Sequence, residues 1–273
     1  MIKADKYFKD NLSKILNEGC VDENPRARYK DGGIAYSMYI TQVFEEYDLE
    51  QNEFPITTLR NTALQTGLKE IKWIYMWGSN KLSDAKLLGI NWWDEWNVGD
   101  GTIGKRYGYT NQQYGLYDKL RADLIKNPFG RRHVMNLWQE EHLRGSDGLY
   151  PCAYETIWSV RKKNGVMFLD MSLIQRSSDY IMAGFINKSQ YVGLMMYTMK
   201  FLNTVTKDKW MLGKFCHLVQ NLHIYDRHID QAKEILSRDS GFQPVMYFDE
   251  EMEIKCKGIN QGKKLSKQLE IAI

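Results

Sequence analysis

The chain has 273 residues, 43% of them hydrophobic and 13% aromatic, enough for a substantial core and well away from disorder. A net charge of +3, from 37 basic and 34 acidic residues, is too mild to mark a nucleic-acid binder. The four cysteines, Cys20, Cys152, Cys216 and Cys256, form no C-x-x-C pair, so neither zinc nor a disulfide framework is expected, and a reducing compartment suits them. The start, Met1-Ile2-Lys3-Ala4-Asp5-Lys6, lacks the apolar core of a signal peptide. No apolar run approaches the ~20 residues of a membrane span. A soluble intracellular protein is the expectation.

Phe8, Leu12, Ile15 and Leu16 recur at helical spacing and stop at Gly19, predicting a first helix. Asn24-Pro25-Arg26-Ala27-Arg28 leads through Gly32-Gly33 into Ile34–Val43, which reads as a strand. Pro55-Ile56-Thr57-Thr58 is expected to enter a long helix with Leu64, Leu68, Ile71 and Tyr75 as its buried stripe. Glu70 lies beside that stripe, where composition favours an ordinary solvated carboxylate. Asn91 to Trp96 carries three tryptophans in five residues, ahead of the glycine-rich Gly99–Gly104 and Tyr107-Gly108-Tyr109. A flat-ligand platform or, more commonly, a tryptophan-rich core accounts for such a stretch. Tyr117, Leu120 and Leu124 mark a helix ending before Pro128, and Val134, Asn136 and Trp138 alternate as a strand.

In Leu149-Tyr150-Pro151-Cys152, the proline biases Tyr150 toward an extended conformation, so Cys152 opens a strand rather than sitting inside one. Thr156, Trp158 and Val160 continue it with half-buried alternation. Val166–Ile174 is another strand, running into Gln175-Arg176-Ser177-Ser178-Asp179. A thiol at the mouth of one strand, with an arginine and a serine on the next, has the makings of a nucleophile beside an anion site. A lone cysteine is more often a small buried hydrophobe. Tyr191, Leu194, Met195, Thr198 and Leu202 predict a central apolar helix. Cys216–Ile224 reads as a strand ending in His223-Ile224-Tyr225, and Ile229, Ala232, Ile235 and Leu236 as a last helix. With no repeat, low-complexity segment or linker, one α+β domain over residues 1–273 is expected, its central sheet mixed or antiparallel and covered by helices.

In this order and spacing the pieces resemble the thymidylate synthase family from Arg26 to Ile273. The most specific is Pro151-Cys152-x-Tyr154-Glu155-Thr156-x-Trp158, similar to the nucleophile segment of synthases from Gram-positive bacteria and their phages. Asn127-Pro128-x-x-Arg131-Arg132, Arg176-Ser177-x-Asp179, Asn187, His223-x-Tyr225, Trp93-Asp94-Glu95-Trp96, Gly101-Thr102-Ile103-Gly104-x-x-Tyr107-Gly108 and the final Ala272-Ile273 support it.

The resemblance implies one-carbon transfer from 5,10-methylenetetrahydrofolate, a co-substrate, to C5 of dUMP, without a metal. It makes Cys152 the nucleophile at C6, with Arg176 lowering its pKa. Glu70 acts through water at O4, Asn187 on the ring edge, and Tyr107 on the C5 proton. Arg26, Arg176 and Ser177 hold the 5′-phosphate, joined by Arg131 and Arg132 from the neighbouring subunit of a homodimer. His223 and Tyr225 bind the 3′-hydroxyl. Trp93, Asp179, Leu149, Ala272 and Ile273 form the folate side. The implied location is the cytoplasm, that of a host if the chain is phage-encoded.

Departures from the family pattern are Leu59 in place of a lysine, with Arg60 adjacent, Gly184-Phe185-Ile186 before Asn187, and Gln220-Asn221 before Leu222-His223. Two of these changes are similar to phage nucleotide hydroxymethylases, in which water replaces hydride. A dUMP hydroxymethylase, or less readily one acting on dCMP, is therefore the alternative. A non-catalytic RNA-binding relative is the alternative of another class.

Overall fold

The strand Lys209–Tyr225 alternates buried and open residues for most of its length, and a sheet is built outward from it. The computed structural model describes residues 1–145, 148–258 and 264–272. Among them, the sheet strands in chain order are β1 (Cys20–Val21), β2 (Ser37–Asp48), β3 (Val134–Asn136), β4 (Ala153–Lys163), β5 (Val166–Asp179) and β6 (Lys209–Tyr225). Their spatial order is β1-β2-β6-β5-β4-β3. Strands β5 and β6 run parallel, while the other neighbours are antiparallel. A separate hairpin pairs β7 (Val245–Phe248) with β8 (Ile254–Lys257).

The helices are α1 (Lys3–Glu18), α2 (Leu64–Ile71), α3 (Leu82–Leu87), α4 (Gly108–Tyr114), α5 (Leu116–Lys126), α6 (Glu140–Leu143), α7 (Gly184–Val205) and α8 (Ile229–Ser237). Helix α7 is the parallel crossover between β5 and β6, as a parallel pair requires. It buries residues on every side, among them Tyr191, Leu194, Met195, Thr198 and Leu202, so it is the central helix that its apolar run predicts. Helix α2 lies on it through two glycines. A Cβ on Gly193 would come 2.4 Å from Leu68, and one on Gly67 would come 2.9 Å from Ile186.

The other sheet face is open. Phe44, Leu218 and Ile157 are 56%, 37% and 40% exposed. Phe44 pairs with Leu218, and Leu218 with Ile174, across three strands. The expected mixed α+β architecture is thus observed.

Several boundaries differ from the sequence reading. The second helix begins at Leu64 rather than near Pro55, because Thr57 and Thr58 are turned inward onto the buried carboxylate of Asp5. After Ile71 that helix widens into a π-turn over Lys72–Met76, which keeps Tyr75 buried. Asn111 donates to the carbonyls of Ile74 and Tyr75 there, at 3.1 Å each. Ile34 makes only an isolated bridge to Arg28, and the strand proper starts at Ser37. Trp138 lies beyond the end of β3. Gly19 does end α1, but with φ −67°; a side chain is excluded there because a Cβ would sit 2.3 Å from the Ile15 carbonyl oxygen.

Candidate active site

Ala153 pairs with Gln175, and Asp179 with His223, so the start of β4 and the ends of β5 and β6 meet at one end of the sheet. Helix α7 starts five residues after β5 ends, bringing Asn187 to the same end. Cys152 sits just ahead of β4, half-buried. Its backbone N–H donates to the Tyr107 hydroxyl at 3.1 Å. Arg176 folds back over the Pro151 turn: Nε donates to Pro151 O at 3.0 Å and Nη2 to Tyr150 O at 2.9 Å. The same Nη2 lies 3.6 Å from Cys152 Sγ, and the guanidinium stacks 5.9 Å from the Trp138 ring.

Among the described residues these contacts use Nε and Nη2 and none engages Nη1. Burial pushes the Cys152 thiol above its ordinary value, and Arg176 offsets only part of the rise. Arg176 lowers the thiol pKa as expected, but burial raises it by more, so the net direction is up. Removing a thiolate from water costs more than one cation at this distance returns.

Tyr107 holds φ 46°, a conformation that costs a non-glycine residue roughly 1–3 kcal/mol and persists only where its surroundings enforce it. The enforcement is visible: Gly108 is pressed against Ser79, whose carbonyl oxygen would lie 2.0 Å from any Cβ there. The Tyr107 ring packs 5.4 Å from Trp93, which also meets Trp73 and Trp96.

Glu70 is 7% exposed, not the solvated carboxylate that composition favours. Burial raises its pKa to about 7, against hydrogen bonds led by the Trp92 indole and the Gln190 amide. The Asn187 amide belongs to the same polar set. Its Nδ2 donates to Gln190 Oε1 at 3.1 Å, and its Oδ1 accepts from Gln175 Nε2 at 3.2 Å. Gln175 Nε2 also donates to Ser177 O at 2.9 Å, while its Oε1 faces His217 Nε2 at 2.9 Å. His217 is fully buried beside Lys188, and burial brings its pKa down to about 3.

Around the opening, His223 pairs its Nδ1 with Asn221 Oδ1 at 3.0 Å and stacks edge-on to Tyr225 at 5.2 Å. Asp179, Cys152 and Arg26 all act electrostatically on Tyr225. Asp179 also faces Arg60, whose guanidinium turns inward to the Ile181 carbonyl. Leu149 is half-buried and packs on the core. Ala272 bridges to Tyr29, a ring neighbour of Tyr225 at 6.2 Å. Ile273 lies outside the described residues. Arg131 and Arg132 are exposed ahead of β3, and neither bonds to Arg26, Arg176 or Ser177 among the described residues.

The geometry therefore unites Cys152, Tyr107 and Arg176 directly and joins Glu70 to Asn187 through Gln190. It groups Arg26, Asp179, His223 and Tyr225, and among the described residues no hydrogen bond links Arg131 or Arg132 to them. Sequence reasoning assigned no role to Gln175, Gln190, His217 or Trp92. Gln190 carried a readable signal, three residues from Asn187 on one helix face. Gln175 carried the alternation of β5, which turns it inward where Arg176 is half-exposed.

A family model described as thymidylate synthase matches residues 6–263. The thymidylate synthase of Lactococcus lactis subsp. cremoris (strain SK11) is 45% identical over 240 residues, 87% of this chain and 84% of that protein. The thymidylate synthase of Streptococcus pneumoniae (strain 70585) is 44% identical over 247 residues, covering 89% and 86%. Among solved structures, the thermostable thymidylate synthase A from Bacillus subtilis matches with a TM-score of 0.84 at 29% identity, over 99% of both chains. Sequence, architecture and the arrangement around Cys152 agree: the chain belongs to the thymidylate synthase family.

Proposed function

We propose that this protein converts dUMP to dTMP with 5,10-methylenetetrahydrofolate. The observation that carries the reading is Cys152 held at the end of the sheet with Arg176 Nη2 3.6 Å from its sulfur and the Tyr107 hydroxyl on its backbone N–H. The thiol loses its proton on attack at C6, and Arg176 stabilises the negative charge as it forms. Addition there makes C5 a nucleophile. Glu70, with a pKa of about 7, can lend and recover a proton at neutral pH, through water, as charge comes and goes on O4. Tyr107 stays a neutral phenol, its pKa pushed well up by burial, and orders the water that takes the C5 proton.

Asn187 reads the base. Its Nδ2 keeps a proton for uracil O4, and its Oδ1 keeps a lone pair for N3–H. Arg26, Arg176 and Ser177 hold the 5′-phosphate, where several charge-assisted donors fix both position and affinity. His223 and Tyr225 take the 3′-hydroxyl. The aromatic wall of Trp93, Trp96 and Tyr107 and the Asp179 carboxylate suit a flat ring bearing N–H groups, with Leu149 and Ala272 beside it. The reduced folate supplies the one-carbon unit and the hydride that makes it a methyl group.

The open sheet face, with Phe44, Leu218 and Ile157, supports a symmetric homodimer in which Arg131 and Arg132 complete the partner's phosphate site. Among the described residues no helix is long and apolar enough to cross a membrane, and a cytoplasmic location is part of the same proposal.

The test is to supply dUMP and methylenetetrahydrofolate and weigh the nucleotide. A methylated product, with an absorbance rise from dihydrofolate, is expected. A hydroxymethyl product without that rise would replace the synthase reading by the hydroxymethylase one, and no product would leave a binding protein.

A further inference from the structure

Residues 264–272 lie between α8 and the segment that carries Arg26. That segment is a short hairpin: Ala35 N–H donates to Ala27 O, Tyr29 N–H to Gly33 O, and Arg28 bridges to Ile34. Ala272 adds to it by bridging to Tyr29. The other fastenings of residues 264–272 differ in weight. Lys267 with Asp230 and Glu270 with Arg227 are ion pairs open to solvent, whose net worth is small. Leu269 packs on the core, a contact without direction. The Glu270 backbone N–H is different: it donates to His228 Nε2 at 3.1 Å, and His228 is 0% exposed.

That bond settles the state of the ring. A nitrogen that accepts carries no proton, so His228 is a neutral imidazole with its proton on Nδ1. Nδ1 is buried and has no hydrogen-bond partner among the described residues, an arrangement that costs stability. The other tautomer would set the Nε2 and Glu270 N–H groups against each other. The ring neighbours the proposed sugar-binding residues, 6.0 Å from the Tyr225 ring and within electrostatic reach of His223.

We propose that His228 is a positioning residue for the folate side: its neutral imidazole holds residues 269–272 on the Arg26 hairpin, and protonation of the ring releases them. An imidazolium carries N–H on both nitrogens, so Nε2–H would face Glu270 N–H, and two donors cannot bond. Imidazole is the side chain that gains its charge in mildly acidic solution. The charged and titratable groups around it are engaged elsewhere. On its own turn, the Asp226 carboxylate accepts from the Tyr29 hydroxyl at 2.5 Å, and Arg227 pairs with Asp31 and Glu270. On α8, Asp230 pairs with Lys267 and Glu234 with Arg238. On β6, His223 turns its Nδ1 to Asn221, and burial holds the Tyr225 phenol neutral with a pKa of about 12. Among the described residues none of these side chains bonds the His228 ring. A cation there loses its backbone partner and meets no carboxylate in exchange.

This rests on the place proposed above for Ala272 on the folate side, and the experiment separates the two levels. Amide hydrogen exchange over residues 264–272, corrected for its intrinsic pH dependence, reads the latch without any activity. The KM for methylenetetrahydrofolate reads its consequence. In the wild type, exchange and KM should both rise as pH falls from about 8 to about 5.5. His228→Gln, whose side-chain oxygen can accept the same N–H and cannot titrate, should keep the segment protected and the KM flat over that range. His228→Leu should raise both about tenfold at pH 8, the scale of one lost hydrogen bond, while dUMP binding without folate holds. If His228→Leu does not fold, the wild type against His228→Gln carries the test. Equal exchange in these two proteins at both pH values overturns the proposal, as does a folded His228→Leu with wild-type exchange at pH 8. If exchange follows protonation and the folate KM does not, the folate role of Ala272 fails, and the positioning role of His228 with it.

Discussion

Glu70 shows how one residue links stability and chemistry. Its carboxyl is buried, and its pKa is raised from 4.5 to about 7, so between those values the folded chain binds a proton that the unfolded chain does not. Stability must therefore fall as pH rises through that window, by up to on the order of 3 kcal/mol for a shift of this size. Glu70→Gln removes the titration. Relative to wild type, the variant should gain roughly 2–3 kcal/mol of stability between pH 5 and pH 8 while losing most of its turnover. Urea unfolding at the two pH values measures this, and a stability difference constant with pH would show that Glu70 ionises as readily folded as unfolded. Cys152→Ser is the complementary case. A serine hydroxyl is far too weak an acid to attack without a base beside it, so turnover should fall by about a thousandfold or more. Nucleotide affinity, carried by other residues, should hold in a direct binding titration. Near wild-type turnover would remove Cys152 from the mechanism.

At the scale of elements, the turn from Tyr107 into α4 carries the functional strain. Gly108 permits contact with the Ser79 backbone that no side chain allows, and that contact holds Tyr107 at φ 46° with its hydroxyl on the Cys152 amide. Gly108→Ala should shift this turn, cost about 1–3 kcal/mol as an overpacked site does, and lower kcat about 10- to 100-fold, as a misplacement near 1 Å does. Thermal unfolding and steady-state kinetics check both, and wild-type kcat in a folded variant would free Tyr107 from this dependence. Nothing in the sequence displays such a contact, because Ser79 and Gly108 are far apart in the chain. What the sequence does display is periodicity. The stripes of α1, α5 and α7, and the alternation of β4 and β6, reflect one face or the whole element being buried. Helix α2 misled at its start because Thr57 and Thr58 look like helix-entry residues, while a distant carboxylate, Asp5, decides where they point. The motif residues were legible singly. The amide row was not, since Gln175, Gln190 and His217 gain meaning only from strand register and from one another.

At the scale of the whole molecule, the open face of the sheet and the two exposed arginines ahead of β3 bear together on assembly. Phe44, Leu218 and Ile174 lie side by side across β2, β6 and β5, an apolar row that a self-pairing interface would cover. Arg131 and Arg132 stand exposed ahead of edge strand β3, whose Val134 pairs with Ile157 on that same open face. A two-fold pairing of these faces gives each arginine pair a route to the other subunit's phosphate, and an isologous contact makes the exchange mutual. Leu218→Glu should then yield monomers with little activity, because a charge at the centre of such a row opposes burial. The decisive mixture combines inactive Cys152→Ser with inactive Arg131→Ala/Arg132→Ala. After subunit exchange, half of the dimers are mixed, and each has one site with both its cysteine and its partner's arginines. About a quarter of wild-type activity should return, the fraction that random pairing of two subunit types provides. Native mass spectrometry follows the exchange independently. Mixed dimers without recovered activity would mean that Arg131 and Arg132 serve the subunit that carries them.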